Sequence, residues 1–506
     1  MTSTMDEGPA TKSHAAPVTR RIAGVVGLVA ALVVSIALAG AWPSTPMVPP
    51  ATAAPPAGFP IDYWDWGVNR TLSTAELQAL DRLGGSEVFS LCGMIQPWRD
   101  EWLWEPQGRP SAPLPGRRQH LVVRIDSAIA KQMDPAIAAR LIFLVVDGWT
   151  RNRTAAIIGL QIDCDVPTKR LAAYADVLHH LRAAMPEGIH LSVTMLLDWS
   201  RSRELPTLME AVDAVVPQFY NAYLPIDLSG QTPMVGGSDL ERVVKRMEEI
   251  GRPYRIGLGT YEQCSLYDAA SNLVRPAIPL SPEQALTSGG IAERLIRGEE
   301  NILTVRFPQA AKVGSQSLTA GQLLAFACGT PTGLAQCFAD LRNLHPRQCA
   351  GIVLFRLPGR ETTHSLSIAQ VAAAATDTVR PATVIARLEP LGNHHHALIV
   401  SNQGDEDFLD FAQPARVLIQ TPGAEIKAHR LPDFGSVIAR EVTSDNGRRE
   451  ALDIYIGLLR AGEVLTIEDL LITTANGREP RIEGVVQQNG QGRPLQIEAS
   501  ERSNPR

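Results

Sequence analysis

Between Gly159 and Asp165 the chain reads Gly-Leu-Gln-Ile-Asp-Cys-Asp, and Pro167 follows closely. In an extended strand Gln161, Asp163 and Asp165 share one face, while Leu160, Ile162 and Cys164 share the other. At about 3.3 Å per residue, the Cα atoms of the two aspartates stand roughly 6.6 Å apart. Repulsion at that range raises one carboxyl pKa and leaves the other group ionised. Such a division between proton donor and stabilising anion is what cleavage of a glycosidic bond uses. The same pair would also bind a cation, as in a metal-dependent hydrolase, or cap the helix expected from Thr168 to about Met185.

A second polar group ends the apolar run at 214–220. Gln218 and Tyr220 share a face, with Asn221 next, and an amide beside a phenol would fix a polar substrate by hydrogen bonding. The alternative for Tyr220 is a core ring with a satisfied hydroxyl. Seven of the eight tryptophans lie between positions 64 and 199. Trp64 and Trp66 close the first apolar run, Trp98, Trp102 and Trp104 follow the second, and Trp199 follows the fifth. Flat rings beside carboxylates suit the C–H faces of pyranose sugars, whereas Trp149 reads as core. Asp62, Asp65, Asp198 and Glu262 add acids near the ends of the same runs. His394-His395-His396 reads as an exposed turn, because consecutive strand residues face opposite ways. No metal site is expected from it, and no motif calls for a cofactor.

These side chains need a scaffold that brings strand ends together. Eight short apolar runs fall at 61–66, 87–95, 120–126, 156–165, 190–198, 214–220, 254–261 and 350–357, with helical patterns between most of them. Strands alternating with helices imply a parallel sheet, and eight units in about 300 residues suit a (β/α)8 TIM-type barrel. Active sites of such barrels sit at the C-terminal ends of the strands, where Asp165 would be. A doubly wound open sheet competes, but no Gly-rich phosphate loop follows the first run. The barrel is expected over 61–377, with an insertion at about 262–348 carrying a helix from Ser281 to about Arg297 and a strand at 302–307. Short alternating runs over 378–476 predict a small β-sandwich, and the polar stretch 477–506 reads as a disordered tail.

The first sixty residues read as targeting. Residues 1–21 form a cytoplasmic N-terminal segment ending in Arg20-Arg21, residues 22–41 an uncharged signal or anchor helix, and residues 42–60 a Pro/Ala linker. Small-residue sites at Ala39-Gly40-Ala41 and Ala51-Thr52-Ala53 leave cleavage open. Either way an exported protein is expected, with its folded part periplasmic or extracellular; left uncleaved, the segment anchors it to the membrane. A formal charge of −6 over 506 residues gives no reason to expect a nucleic-acid partner. Six cysteines permit disulfides, with Cys328 and Cys337 the first candidates because they bracket a Gly/Pro loop.

The run 159–167, Leu171-Ala172-Ala173-Tyr174, His190–Thr194 with Trp199, the opening Tyr63-Trp64-Asp65-Trp66 and the terminal Val353-Leu354-Phe355-Arg356 resemble domain-of-unknown-function family 3142. That family is uncharacterised and implies no activity. The chain is also distantly similar to the family 18 glycoside hydrolases, the chitinase group, with Asp-x-x-Asp-x-Asp-x-Glu on barrel strand four and Met-x-Tyr-Asp on strand six. This similarity implies Asp165 as general acid, Asp163 as its support, and Tyr220 as a holder of the sugar N-acetyl group in a substrate-assisted reaction. Gln161, Gln218, Asn221, Trp64, Trp66, Asp65, Trp98, Trp199 and Arg356 are then expected to contact a polysaccharide or cell-wall glycan. Asp165 replaces a glutamate, which shortens the acid by about 1.5 Å, and a shift of about 1 Å can cost on the order of 10²-fold in rate. A non-catalytic glycan-binding or envelope-assembly protein is therefore the alternative.

Overall fold

In the computed structural model eight strands pair in parallel around a closed ring. They are β1 (Ile61–Asp65), β2 (Gly84–Trp98), β3 (Arg118–Ile125), β4 (Ile157–Cys164), β5 (His190–Met195), β6 (Ala214–Pro217), β7 (Tyr254–Gly259) and β8 (Cys349–Phe355). Closure occurs at β1, which aligns Trp64 with Phe89 of β2 and Ile61 with Ile352 of β8. The structure describes residues 57–497 except 68–71, 99–100, 107–113, 127–156, 186, 221–226, 231–238, 298–299, 360–363, 412, 429–432, 435–436, 444–446 and 475–480. The expected targeting segment and linker therefore lie almost wholly outside the described residues, as does Asn221. Among the described residues no helix is long and apolar enough to cross a membrane.

The TIM-type barrel expected from the strand–helix alternation is the fold observed. Helices Thr74–Arg82, Leu171–Ala184, Leu240–Ile250, Pro331–Leu344 and Ile368–Ala375 pack apolar faces on the outside of the strands. Thr74–Arg82 opens with a capping box in which Ser73 and Glu76 satisfy each other's backbone amides. After β2 the chain instead turns back as a strand, Glu101–Pro106, antiparallel to the extended end of β2.

The insertion after β7 is a β-module. Five strands, Glu262–Tyr267, Leu273–Ile278, Ile291–Arg297, Glu300–Arg306 and Leu323–Cys328, form a sheet with its own apolar core. The helix expected from Ser281 to Arg297 covers only Pro282–Thr287, because Gly289, at φ +84°, and Gly290 break it and the rest becomes a strand. The inserted strands end at Cys328, and Pro331–Leu344 returns to the barrel's helical layer through Leu334, Phe338 and Leu341.

C-terminal to the barrel, a five-stranded and a six-stranded sheet share one core that includes Val384, Leu398, Val417, Ile454 and Ile467, the β-domain the alternating runs predict. The tail is not wholly disordered. Glu483–Gln488 pairs with Ala415–Gln420, Gln496–Ile497 pairs with Val384–Gly392, and Val486 and Leu495 are buried in the sandwich. Isolated apolar residues in a polar stretch suffice when each meets an existing core. The expected Cys328–Cys337 bridge does not form; Cys328 Sγ instead donates to Glu262 Oε2 at 3.1 Å.

Barrel, module and sandwich lie in one compact unit, Thr52–Arg506, and Arg460 joins them. Its guanidinium reaches Glu262 and Asp407 at 2.9 Å and Glu283 at 3.0 Å. Removing one partner of a buried ion pair strands the other charge, at a cost of about 3–5 kcal/mol. Arg460→Met is accordingly expected to lower the urea midpoint by an equivalent amount. Arg460→Lys recovers only part of the loss, since one ammonium does not span three carboxylates.

Candidate active site

Inward-facing side chains fill the barrel in layers. Near the N-terminal ends of the strands, Arg255 pairs with Asp62 and, at 2.6 Å, with Glu87, while His120 Nε2 lies 3.1 Å from Glu87. His120 needs the space over Gly159, where an added Cβ would stand 2.2 Å from its Nδ1. That explains the glycine opening the aspartate motif, and it places Asp62 at the end of the barrel away from the aspartates. Above lie Trp64, Phe89, Val122, Val216 and Val353 as an apolar plug. Gln161 belongs to this layer. It is wholly buried, accepts from Trp64 Nε1 at 2.5 Å and donates to Ser192 Oγ at 3.3 Å, so it supports the floor and is absent from the cleft lining.

At the C-terminal ends opens a cleft of about 220 Å³. Its polar lining is Arg124, Asp163, Asp165, Thr194 and Gln218; its aromatic lining is Trp64, Trp66, Tyr220, Tyr261 and Phe355. The rings pack around Phe355, with Tyr220 stacked at 5.5 Å and Trp66 and Tyr261 edge-on at 4.9 and 5.2 Å. The two aspartates have unlike surroundings. Asp163 is 4 % exposed, accepts from Thr194 Oγ1 at 2.8 Å and pairs with Arg124 Nη1 at 3.0 Å. Asp165 is 40 % exposed, and Arg124 Nη2 stands 3.9 Å away. Burial, then the nearby Asp163 charge, pushes the Asp165 carboxyl above its ordinary value, against the pull of Arg124. Burial, with the Asp163 charge next, raises Tyr220 well above the usual phenol range, so its hydroxyl stays protonated.

Residues 115–304 match the DUF3142 family, a domain of unknown function. The match begins just before β3 and runs into the inserted module, so it holds Arg124, both aspartates, Tyr220 and Tyr261 and leaves out Trp66 and Phe355. Solved structures similar to the chain include a chitinase from Chromobacterium violaceum, at 15% identity over 63% of this chain and 98% of that one, TM-score 0.40. The spore cortex-lytic enzyme SleL of Bacillus cereus is similar at 11% identity over 63% and 74% of the two chains, TM-score 0.40. A glycoside hydrolase family 18 N-acetylglucosaminidase from Paenibacillus barengoltzii is similar at 11% identity over 63% and 100%, TM-score 0.41. No curated protein matches the chain.

The fold brings Trp64, Trp66, Asp163, Asp165, Gln218 and Tyr220 together as the sequence predicts. It separates others. Trp199 is fully buried, donates from Nε1 to the Val166 carbonyl and packs edge-on against Tyr174, so its ring belongs to the helical layer. Strand alternation turns Asp65 away from Trp64 and Trp66, and its carboxylate accepts from the Gly67 amide. Arg356 is absent from the cleft lining, and its carbonyl accepts from Thr260 Oγ1. Trp98 extends β2 into the hairpin with Glu101–Pro106. Glu262 is buried under Arg460, and Asp198 accepts from Thr168 Oγ1.

Arg124, Tyr261 and Phe355 escape the sequence reading. Arg124 follows directly on Leu121-Val122-Val123 in its strand, and a charge after that apolar stretch is the one signal that would have pointed to it.

Because the folded Asp165 pKa lies above its unfolded value of 3.8, folding binds the proton more tightly. Its stabilising effect is present below that value and is lost as pH rises through the folded pKa. Asp165→Asn is therefore expected to melt above wild type at pH 7. The difference is only a degree or two, given screening at an exposed carboxyl, and closes below about pH 4. A variant less stable than wild type at pH 7 contradicts this.

Proposed function

We propose that the cleft is a glycoside hydrolase-like site that cleaves an envelope or extracellular polysaccharide by acid catalysis, with Asp165 as proton donor. The observation that carries this is the unequal treatment of two aspartates on one strand face. Asp163 is held by Thr194 and Arg124, whereas Asp165 opens to the cleft with a raised pKa.

In this reading the Asp165 carboxyl gives its proton to the glycosidic oxygen as the bond to the anomeric carbon breaks. Asp163 remains an anion beneath the positive charge that develops on the sugar. Tyr220, kept protonated, donates a hydrogen bond to the N-acetyl oxygen as that oxygen attacks the anomeric carbon. Water then opens the cyclic intermediate and returns a proton to Asp165. The cleft is smaller than the roughly 300–1,000 Å³ of a drug-sized ligand site, which suits one ring at the cutting position. Placement at the envelope rests on the apolar segment 22–41 of the sequence.

Arg124 favours a second reading, glycan binding without cleavage, because it offsets the charge of the pair. Reducing-end release from chitin fragments, peptidoglycan and exopolysaccharides separates the two. Turnover by wild type is expected to drop about 10²–10⁴-fold in Asp165→Asn. It is also expected to decline as pH rises through the Asp165 pKa, since the donor then loses its proton. Equal product from both proteins removes Asp165 from the mechanism. Retention of glycan by both, without product, makes this a binding protein.

A further inference from the structure

Arg124 takes no step in the chemistry above, yet among the described residues it is the cation that touches the pair. It leaves β3 beside β4, where Arg124 and Asp163 are in register. Its guanidinium lies over the Trp66 ring, 5.3 Å from the centroid, and its side chain is 36 % exposed to the cleft. The planar fork is aimed unequally. Nη1 donates to Asp163 Oδ2 at 3.0 Å, while Nη2 stays 3.9 Å from Asp165 Oδ2, beyond hydrogen-bond reach. Thr194 Oγ1 adds a second donor to Asp163, on Oδ1.

We propose that Arg124 is a positioning residue for the proton donor: by binding Asp163 and stopping short of Asp165, it fixes which carboxyl ionises and leaves the proton on the one that faces the cleft. Two aspartates with the same intrinsic affinity would otherwise share that proton, and a shared proton is a poor donor in one defined direction. Among the described residues, the groups bearing on the pair are few. Asp163 and Asp165 come from β4 and Arg124 from β3; Tyr220 and Tyr261, beyond β6 and β7, are the other titratable groups of the cleft wall. Trp66 and Phe355, from β1 and β8, bring no charge, while Cys164 faces the opposite side of β4 among core residues. The catalytic consequence rests on the hydrolase reading; the placement of the proton does not.

The test is carboxyl titration by NMR on full-length protein with ¹³C-labelled aspartate, in wild type, Asp163→Asn, Asp165→Asn, Arg124→Gln and Arg124→Lys. In wild type, the higher of the pair's two steps is expected to vanish in Asp165→Asn and persist in Asp163→Asn at a lower pH. In Arg124→Gln that step is expected to rise by about one pH unit, with both aspartates now taking part, because a cation at this range holds a carboxylate down by about one to three units. Arg124→Lys keeps the charge and returns the step toward wild type. Where a glycan is cleaved, the basic limb of the pH profile moves with the step, a shift that a purely structural lesion does not produce.

The proposal is overturned if Arg124→Gln, still unfolding cooperatively, leaves both titrations unmoved. It is equally overturned if the wild-type step belongs to Asp163, a result that needs no Arg124 variant. The expected titrations with no glycan cleaved sink the hydrolase reading alone. Cleavage by wild type with titrations unmoved by Arg124→Gln sinks the role of Arg124 alone.

Discussion

Closure of the sheet at β1 is the constraint on which the rest depends. With β1 paired to both β2 and β8, the ring has no edge, and each inward position must be filled from within. The residues that do so are large where a neighbour is small. Trp64 lies against Gly257, where an added Cβ would come within 3.0 Å of the ring, and His120 lies over Gly159. Once the plug of Trp64, Phe89 and the valines is seated, the polar residues one step further along each strand are lifted to the mouth. The cleft is what remains above a filled core.

At that mouth, environment separates side chains that chemistry makes identical. Asp163 and Asp165 differ by two residues along one strand, yet one is enclosed by donors and the other opens to the cleft. The difference comes from neighbours on β3 and β5 and from the strand's ending, which leaves Asp165 just past the ladder. The aromatic wall is also cooperative. Phe355 orients Trp66, Tyr220 and Tyr261, which arrive from three different strand ends.

The inserted module and the sandwich bear on the same rim. Tyr261 lines the cleft and the next residue, Glu262, begins the module and is held by Arg460 of the sandwich. A displacement of Arg460 thus reaches the cleft wall through one peptide bond. The sandwich in this chain is tied to the inserted module through buried charge, which makes it part of the cleft's architecture as well as a module in its own right.

The sequence by itself determined what local rules control. Period-two alternation put Asp163 and Asp165 on one face, strand–helix alternation called for a barrel, and the short runs beyond 378 called for a β-domain. Local rules failed where a residue's fate depends on a partner far along the chain. Trp199 follows a strand as a rim residue would, but the pocket between Tyr174 and Val166 accepts the ring. Asp62 and Glu262 looked like rim acids and became buried halves of ion pairs with Arg255 and Arg460. Val486 and Leu495 sat in a polar stretch until the sandwich supplied a core. Arg124 shows why most clearly: it stands 39 positions from Asp163, and only the lateral pairing of β3 with β4 makes them neighbours. Side-chain period and turn chemistry are written in adjacent residues. Which charge meets which is set by strand order and register, and those exist only when the sheet closes.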